Sequence, residues 1–406
     1  MPGHGIQPAS FPPGGLRVGL VAGEASGDLL GAGLARALRR RYPDARLAGI
    51  AGPAMQAAGV ASWAPMEQLS VMGLAEVLRH LPGLLALRRD LIGAFERFRP
   101  HVVVGIDAPD FNLGLERRLR ARGLRTMHYV SPSIWAWRPG RVHTIGRAAD
   151  EVLCLLPFEP ELYAAHGVAA RFVGHPMADD IPLQPNHRAA RCELGFDQGG
   201  QGPVVALLPG SRHGEVARVG DVLAAAAALL AARRPDIRFV AAMASASLRE
   251  RFAAQLAEHA PGVDVRLVDG RSRTVMAAAD IVLLASGTAT LEAALLKRPM
   301  VMVYRVAPLT AGIVRWLRLM KTERFALPNV LAGETLVPEL TQDAATPERI
   351  AGEAEALLDD APRRARLEAR FAELHQQLRQ DADRQAAEAV LAMAGRWPPA
   401  AVETRS

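Results

Sequence analysis

Short apolar runs alternate with amphipathic stretches along almost the whole chain. Leu16–Ala22 is nearly all apolar and predicts a buried strand, and Leu29–Arg41 follows with apolar positions at helical spacing. Further strands are predicted at Ala45–Ile50, Val102–Ile106, Leu124–Val130 and Glu151–Leu156. Runs that are apolar at every position indicate parallel strands covered on both faces. From His175 to Gly202 the pattern lapses, broken by Pro176, Pro182, Pro185, Gly200 and Gly202. It restarts at Val204–Leu208 and continues through Ile237–Met243, Val263–Val268, Ile281–Ala285 and Met300–Tyr304. The expected fold is α/β: two doubly wound, Rossmann-like domains facing each other across a cleft. Their expected bounds are 16–175 and 203–345, joined by a linker at 176–202 and preceded by a frayed extension at 1–15. The amphipathic tail, 346–395, reads as helices packing back on the first domain. In such sheets ligands bind beyond the carboxyl ends of the strands, so the loops after the strands are where chemistry is expected.

Composition narrows this only a little. The chain has 406 residues, half of them apolar, which suits two domains and excludes wholesale disorder. Its 48 basic residues against 42 acidic ones give a net charge of +6, and only Lys297 and Lys321 are lysines. The positive charge is spread along the chain, so no nucleic-acid stripe is expected, while attraction to an anionic membrane surface stays open. Cys154 and Cys192 form neither a zinc motif nor a disulfide framework, and a reducing cytosol fits them. No uncharged apolar run reaches the roughly 18 residues of a membrane span.

Four loops after predicted strands carry candidate chemistry. In Gly23–Asp28 the glycines permit close approach of a ligand, and Glu24, Ser26 and Asp28 are polar groups at a helix start. Plain helix capping by Ser26 or Asp28 is the alternative. In Asp107–Asn112, Asp107 emerges at a strand end as a general base or as a loop-stabilising carboxylate, and Asp110 sits where an N-cap would. Pro209–Arg212 is a phosphate cradle with a forked guanidinium, or an ordinary tight turn with an exposed arginine; Glu215 follows in the helix's first turn. Ser286–Glu292 again opens a helix with small hydroxyl residues, and Glu292 could take a ribose diol or merely assist capping. Two phosphate-type loops in one domain suit a nucleoside diphosphate better than a dinucleotide. Asp107 and Asp110 do not form an Asp-x-Asp pair, and no His/Cys ligand cluster backs them up as a metal site. Two greasy, basic-flanked stretches, Val71–Ile92 and Leu309–Met320, read as core-facing helices or as an interfacial, acyl-binding face, and Trp135 and Trp137 are ambiguous between core and cleft wall.

These segments, in this order, resemble the lipid-A-disaccharide synthases: LVAGEASGDLLGAGL, VGIDAPDFN, HYVSPSIWAWRPGRV, LLPFEPE, GHPMAD, LLPGSR, ASGTATLEAAL, LPNVLAG and ELHQQLR. The resemblance covers about residues 16 to 395. It implies a GT-B fold and an inverting transfer of 2,3-diacylglucosamine from UDP-2,3-diacylglucosamine to the 6-hydroxyl of 2,3-diacylglucosamine 1-phosphate. It implies no cofactor and no catalytic metal. It places the protein in the cytoplasm, peripheral on the inner leaflet of the inner membrane, and leaves a homodimer open. By the same resemblance Asp107 is the base. Gly210, Ser211, Arg212, Ser286, Gly287, Thr288, Glu292 and Asn329 bind UDP, and Glu24, Ser26, Gly27 and Asp28 face the acceptor.

Other readings share the architecture. Another UDP-sugar transferase or a UDP-sugar epimerase would take a donor without acyl chains. A non-catalytic lipid-binding protein would need neither Asp107 nor two phosphate loops. An NAD-dependent oxidoreductase lacks its glycine fingerprint here.

Overall fold

The computed structural model describes residues 15–69, 74–136, 140–196, 202–306, 322 and 324–396, with backbone alone for 74–81. The chain divides into two compact units: Met1–Pro176 with Leu378–Ser406, and Met177–Gln377.

The first unit is built on β1 (Arg17–Ala22), β2 (Arg46–Ile50), β3 (Ala61–Ala64), β4 (Val102–Ile106), β5 (Thr126–Tyr129), β6 (Glu151–Cys154) and β7 (Ala170–Phe172). They form one parallel sheet in the order β3-β2-β1-β4-β5-β6-β7. The direction of winding reverses between β1 and β4, where Val21 pairs with Gly105 and Ala22 with Ile106. The helices between these strands are α1 (Ala25–Arg41), α2 (Pro53–Ala57), α3 (Leu74–Phe98), α4 (Pro109–Arg120), α5 (Arg141–Ala148) and α6 (Glu159–Ala164). All five residues of β4 are buried, because helices cover both faces of the sheet. Gly19 of β1 makes room for α3: a Cβ there would lie 2.4 Å from the Phe95 ring.

The second unit repeats the plan. It begins with α7 (Pro176–Asp180) and α8 (His187–Glu193), followed by β8 (Val204–Leu208), α9 (His213–Arg233), β9 (Arg238–Met243), α10 (Ala246–His259) and β10 (Val265–Asp269). Then come α11 (Ser272–Ala278), β11 (Ile281–Ala285), α12 (Thr288–Leu295), β12 (Met300–Tyr304), α13 (Leu327–Ala332) and β13 (Glu339–Thr341). The parallel sheet order is β10-β9-β8-β11-β12-β13, with the reversal between β8 and β11. Both of those strands are buried at every position.

The organisation departs from the sequence expectation in three places. The described part of the 176–202 span, read as a linker without a periodic pattern, carries two short helices, α7 and α8. Asn186 caps α8 by accepting from the Ala189 N–H at 2.9 Å, and Arg191 pairs with Asp280 beside β11. Helices of five and seven residues are too short to show a period through the prolines. The tail holds α14 (Pro347–Asp359), α15 (Ala361–Leu378) and α16 (Ala382–Met393), and the unit boundary falls inside it. α14 lies along α9, with Arg233–Glu355 at 2.7 Å and Arg234–Asp359 at 2.8 Å; α16 packs on α1, where a Cβ on Gly33 would meet Asp383. Amphipathicity tells that a helix packs, not against what. Finally, the short strands β3, β7 and β13 have no counterpart in the apolar pattern, since most of their residues are only partly covered.

The extension before Gly15, Val71–Gly73, Trp137 and the whole Leu309–Met320 stretch lie outside the described residues. Of the first greasy stretch, Leu87, Leu91 and Ile92 are core, whereas Leu85 is exposed. Trp135 packs edge-on against Phe158, with ring centroids 5.8 Å apart. Among the described residues, no helix is long and apolar enough to cross a membrane.

Candidate functional site

All four flagged loops fall at the two reversal points. The loops after β1 and β4 flank the reversal in the first sheet; those after β8 and β11 flank it in the second. This is where doubly wound sheets open a crevice.

In the second unit, a cavity of about 420 Å³ is lined by Gly210, Ser211, Arg212, Ser286, Gly287, Thr288 and Glu292. The chain reaches Ser211 through Gly210 at φ +124°, and a Cβ on Gly210 would collide with the Cβ of Glu215 at 2.5 Å. Only glycine lets the turn close so tightly on α9. The Glu215 carboxylate accepts from the Ser211 N–H at 3.0 Å and lies 3.6 Å from the Arg212 guanidinium, which is 62% exposed. Across the reversal, Gly287 precedes α12 at φ +139° and ψ −161°. Thr290 Oγ1 donates to the Gly287 carbonyl at 2.8 Å. The Thr290 N–H already donates to the Gly287 carbonyl at 3.1 Å, but those of Thr288 and Ala289 have no acceptor within the helix, so they offer themselves to an anion. Glu292 is largely buried, and one of its oxygens takes the Arg273 Nε–H at 2.9 Å.

Asn329 is a correction. It is fully buried and does not line the cavity. Its Nδ2 donates to the Val337 carbonyl and to Glu339, and its Oδ1 accepts from the Leu336 and Val337 N–H groups, all within 2.9 Å. The amide is spent on tying α13 to the segment that leads into β13. Conversely, apart from their position the sequence carried no sign of the cavity residues around the carboxyl ends of β9 and β10: Ala242 and Met243 close β9, Ala244 follows it, Gly270 and Arg271 follow β10, and Ser272 opens α11. Glu215 also lines the cavity.

In the first unit, Asp107 stands half-buried at the end of β4 and takes a 3.4 Å hydrogen bond from the Ser26 hydroxyl. Asp107 and Ala108 both lie in the left-handed region, at φ +53° and +42°. Two consecutive non-glycine residues there are costly, and such strain gathers at functional sites. Gly23 admits the arrangement: a Cβ on it would come within 2.6 Å of the Ala108 Cβ. Ser26 is exposed and Glu24 half-buried.

The other two acceptor-side expectations need correction. Asp28 is only 4% exposed, and its carboxylate accepts from the Ala54 and Met55 N–H groups at 2.8 and 3.0 Å, capping α2. Gly27 is buried against β4, where a Cβ would sit 3.3 Å from the Ile106 carbonyl. Both build the loop and do not face solvent. Asp110 pairs with Arg141. Among the described residues there is no group of three or more His, Cys, Asp or Glu that could hold a metal ion.

Comparison with known proteins now bears on this geometry. A family model described as lipid-A-disaccharide synthetase matches residues 18–391. The chain is 58% identical over 380 residues to the lipid-A-disaccharide synthase of Alkalilimnicola ehrlichii, covering 94% of this chain and 99% of that one. It is 54% identical over 382 residues to the enzyme of that name from Pseudomonas aeruginosa, again covering 94% and 99%. Among solved structures, UDP-GlcNAc 2-epimerase from Neisseria meningitidis bound to UDP-GlcNAc aligns with a TM-score of 0.63 at 13% identity, over 93% of this chain and 100% of that one. The calicheamicin glycosyltransferase CalG4 aligns at 0.58 and 19% identity, over 95% and 100%. At such identities these two likenesses speak to the fold alone.

Proposed function

The chain belongs to the lipid-A-disaccharide synthase family, and on that premise we propose which of its residues carry out the family's reaction. It is a UDP-dependent glycosyltransferase of GT-B fold. It transfers 2,3-diacylglucosamine from its UDP derivative to the 6-hydroxyl of 2,3-diacylglucosamine 1-phosphate. The products are the β-1′,6-linked disaccharide phosphate and UDP.

Inversion at the anomeric carbon is one in-line displacement. The acceptor oxygen forms the new bond as the bond to the β-phosphate oxygen breaks, the acceptor proton passes to a base, and charge grows on the departing UDP. In this reading Asp107 takes the proton, and the Ser26 hydroxyl helps to aim its carboxylate. Glu24 and Ser26 bind acceptor hydroxyls, while Asp28 and Gly27 shape the loop that carries them. UDP occupies the cavity of the second unit. Arg212 and the N-termini of α9 and α12 meet the phosphates and stabilise the leaving charge. Glu292 accepts from the ribose diol through the oxygen not engaged by Arg273. The observation that carries this is convergence: seven residues chosen from two separate loops line one cavity at a reversal point, under two helix N-termini.

Acylated substrates also require contact with a lipid surface. Leu29, 68% exposed one turn beyond Glu24, and Leu85, 47% exposed beside Arg88 and Arg89, give the first unit apolar points for such contact. In this reading the protein works peripherally, on the cytoplasmic face of the inner membrane.

The reaction tests the assignment of the base. Asp107→Asn should cut kcat by about 10² to 10⁴ in an assay of UDP release from the two diacylated sugars. Turnover at the wild-type rate would remove Asp107 from the role.

A further inference from the structure

Asp107 rests on a mount supplied by α4. Asn112, in the first turn of α4, is fully buried on the helix face that covers the sheet. An apolar side chain would serve packing better there, because burying an amide costs free energy unless its hydrogen bonds are made. The Asn112 Nδ2 group makes all of the amide's hydrogen bonds in one place, while its Oδ1 is buried without a partner. It donates to the Asp107 carbonyl at 2.8 Å, to the Val21 carbonyl at 3.2 Å and to the Ile106 carbonyl at 3.3 Å. One amide thereby ties the end of β1, the end of β4 and the left-handed residue Asp107 together.

The surroundings fit this purpose. Gly105 of β4 is the seat: a Cβ on it would lie 2.9 Å from the Asn112 Cβ and 2.0 Å from Glu116 Oε1, one helical turn further on. Glu116 in turn bonds His128 of β5 at 2.8 Å, both fully buried. The Asp107 N–H donates to the Tyr129 carbonyl at 2.8 Å. Strained backbone persists only where its surroundings over-determine it. At Asp107 the contacts that do so are the Asn112 amide on its carbonyl and Tyr129 on its N–H.

We propose that Asn112 is a positioning residue for the transfer: its side-chain amide holds Asp107 in the left-handed conformation that presents the carboxylate to the acceptor hydroxyl. This rests on the reading of Asp107 as the base. A carboxylate misplaced by about 1 Å loses on the order of 10²-fold in rate. Asn112→Ala should therefore lower kcat by about 10- to 100-fold, with KM for both sugars and UDP affinity close to wild type. In an Asp107→Asn background the same substitution should cost nothing further, because there is no base left to position.

Three results overturn the inference. One is folded Asn112→Ala protein with wild-type kcat. Another is an equal, additive loss in the Asp107→Asn background, which would mark Asn112 as merely structural. The third is a parallel loss of UDP affinity. Wild-type turnover by Asp107→Asn alone would instead sink the base reading itself, so the two failures are distinguishable. If the alanine variant does not fold, as judged by circular dichroism, Asn112→Ser carries the same test by the same criteria.

Discussion

Asp28 and Asp107 follow adjacent strands of one sheet, yet they do different work. Asp28 is consumed by two amides of α2, while Asp107 keeps its carboxylate half-open with a hydroxyl beside it. The residues were legible in the sequence; their employment was not. What decided Asp28 was a five-residue helix whose N-terminus points at it, and nothing in the apolar pattern marks so short a helix. Asn329 fails as a pocket residue for a similar reason, because its partners lie across a turn that only the folded backbone brings together. Glu159 is another buried acid, 3% exposed at the start of α6. Burial pushes its carboxyl up to about 7, opposed by hydrogen bonds from the Leu156 N–H and from Ser131. The folded-state value is raised above the unfolded one. Its contribution to stability is therefore fullest below about pH 4.3, falls as pH rises and levels off above about 7. The total change is about 4 kcal/mol. Glu159→Gln should accordingly raise Tm relative to wild type at about pH 8, with the gain vanishing toward about pH 4. A Tm difference that does not vary with pH would contradict this.

At the scale of elements, the central strands β1, β4, β8 and β11, buried at every position but Arg17, matched the apolar runs closely. The edge strands β3, β7 and β13 did not, because a strand covered on fewer sides carries less apolar signal, whereas β10, also at an edge, was anticipated at Val263–Val268. Those four legible strands are the ones that flank the reversal points, so the pattern exposed the part of the fold that positions the chemistry. The loops depend on backbone states that only some residues tolerate. At Gly287 a Cβ would meet nothing within 4 Å, so the demand for glycine comes from its φ and ψ alone. Gly287→Ala should cost about 1–3 kcal/mol of local strain. Relieving that strain would turn the first N–H groups of α12 away from the phosphates. Calorimetry should then show UDP binding weakened roughly 10-fold or more; unchanged affinity would mean that α12 does not hold the nucleotide.

For the whole molecule, the proposed peripheral work on a membrane would draw on the net charge of +6 and on the surface groove that holds Leu85, Arg88 and Arg89. Arg89→Glu together with Leu85→Ser should reduce co-sedimentation with anionic vesicles while leaving UDP affinity intact. Equal co-sedimentation would move the lipid contact elsewhere on the chain. The deeper claim is a division of labour, with the nucleotide held by the second unit and the proton taken by the first. Its most direct test is a calorimetric titration of UDP into three proteins: wild type, Asp107→Asn and Arg212→Ala. Losing one charge-assisted contact worth roughly 1.5–3 kcal/mol should weaken UDP binding to Arg212→Ala by about 10- to 100-fold, while Asp107→Asn binds as wild type does. UDP affinity that collapses in Asp107→Asn and survives in Arg212→Ala would contradict the account.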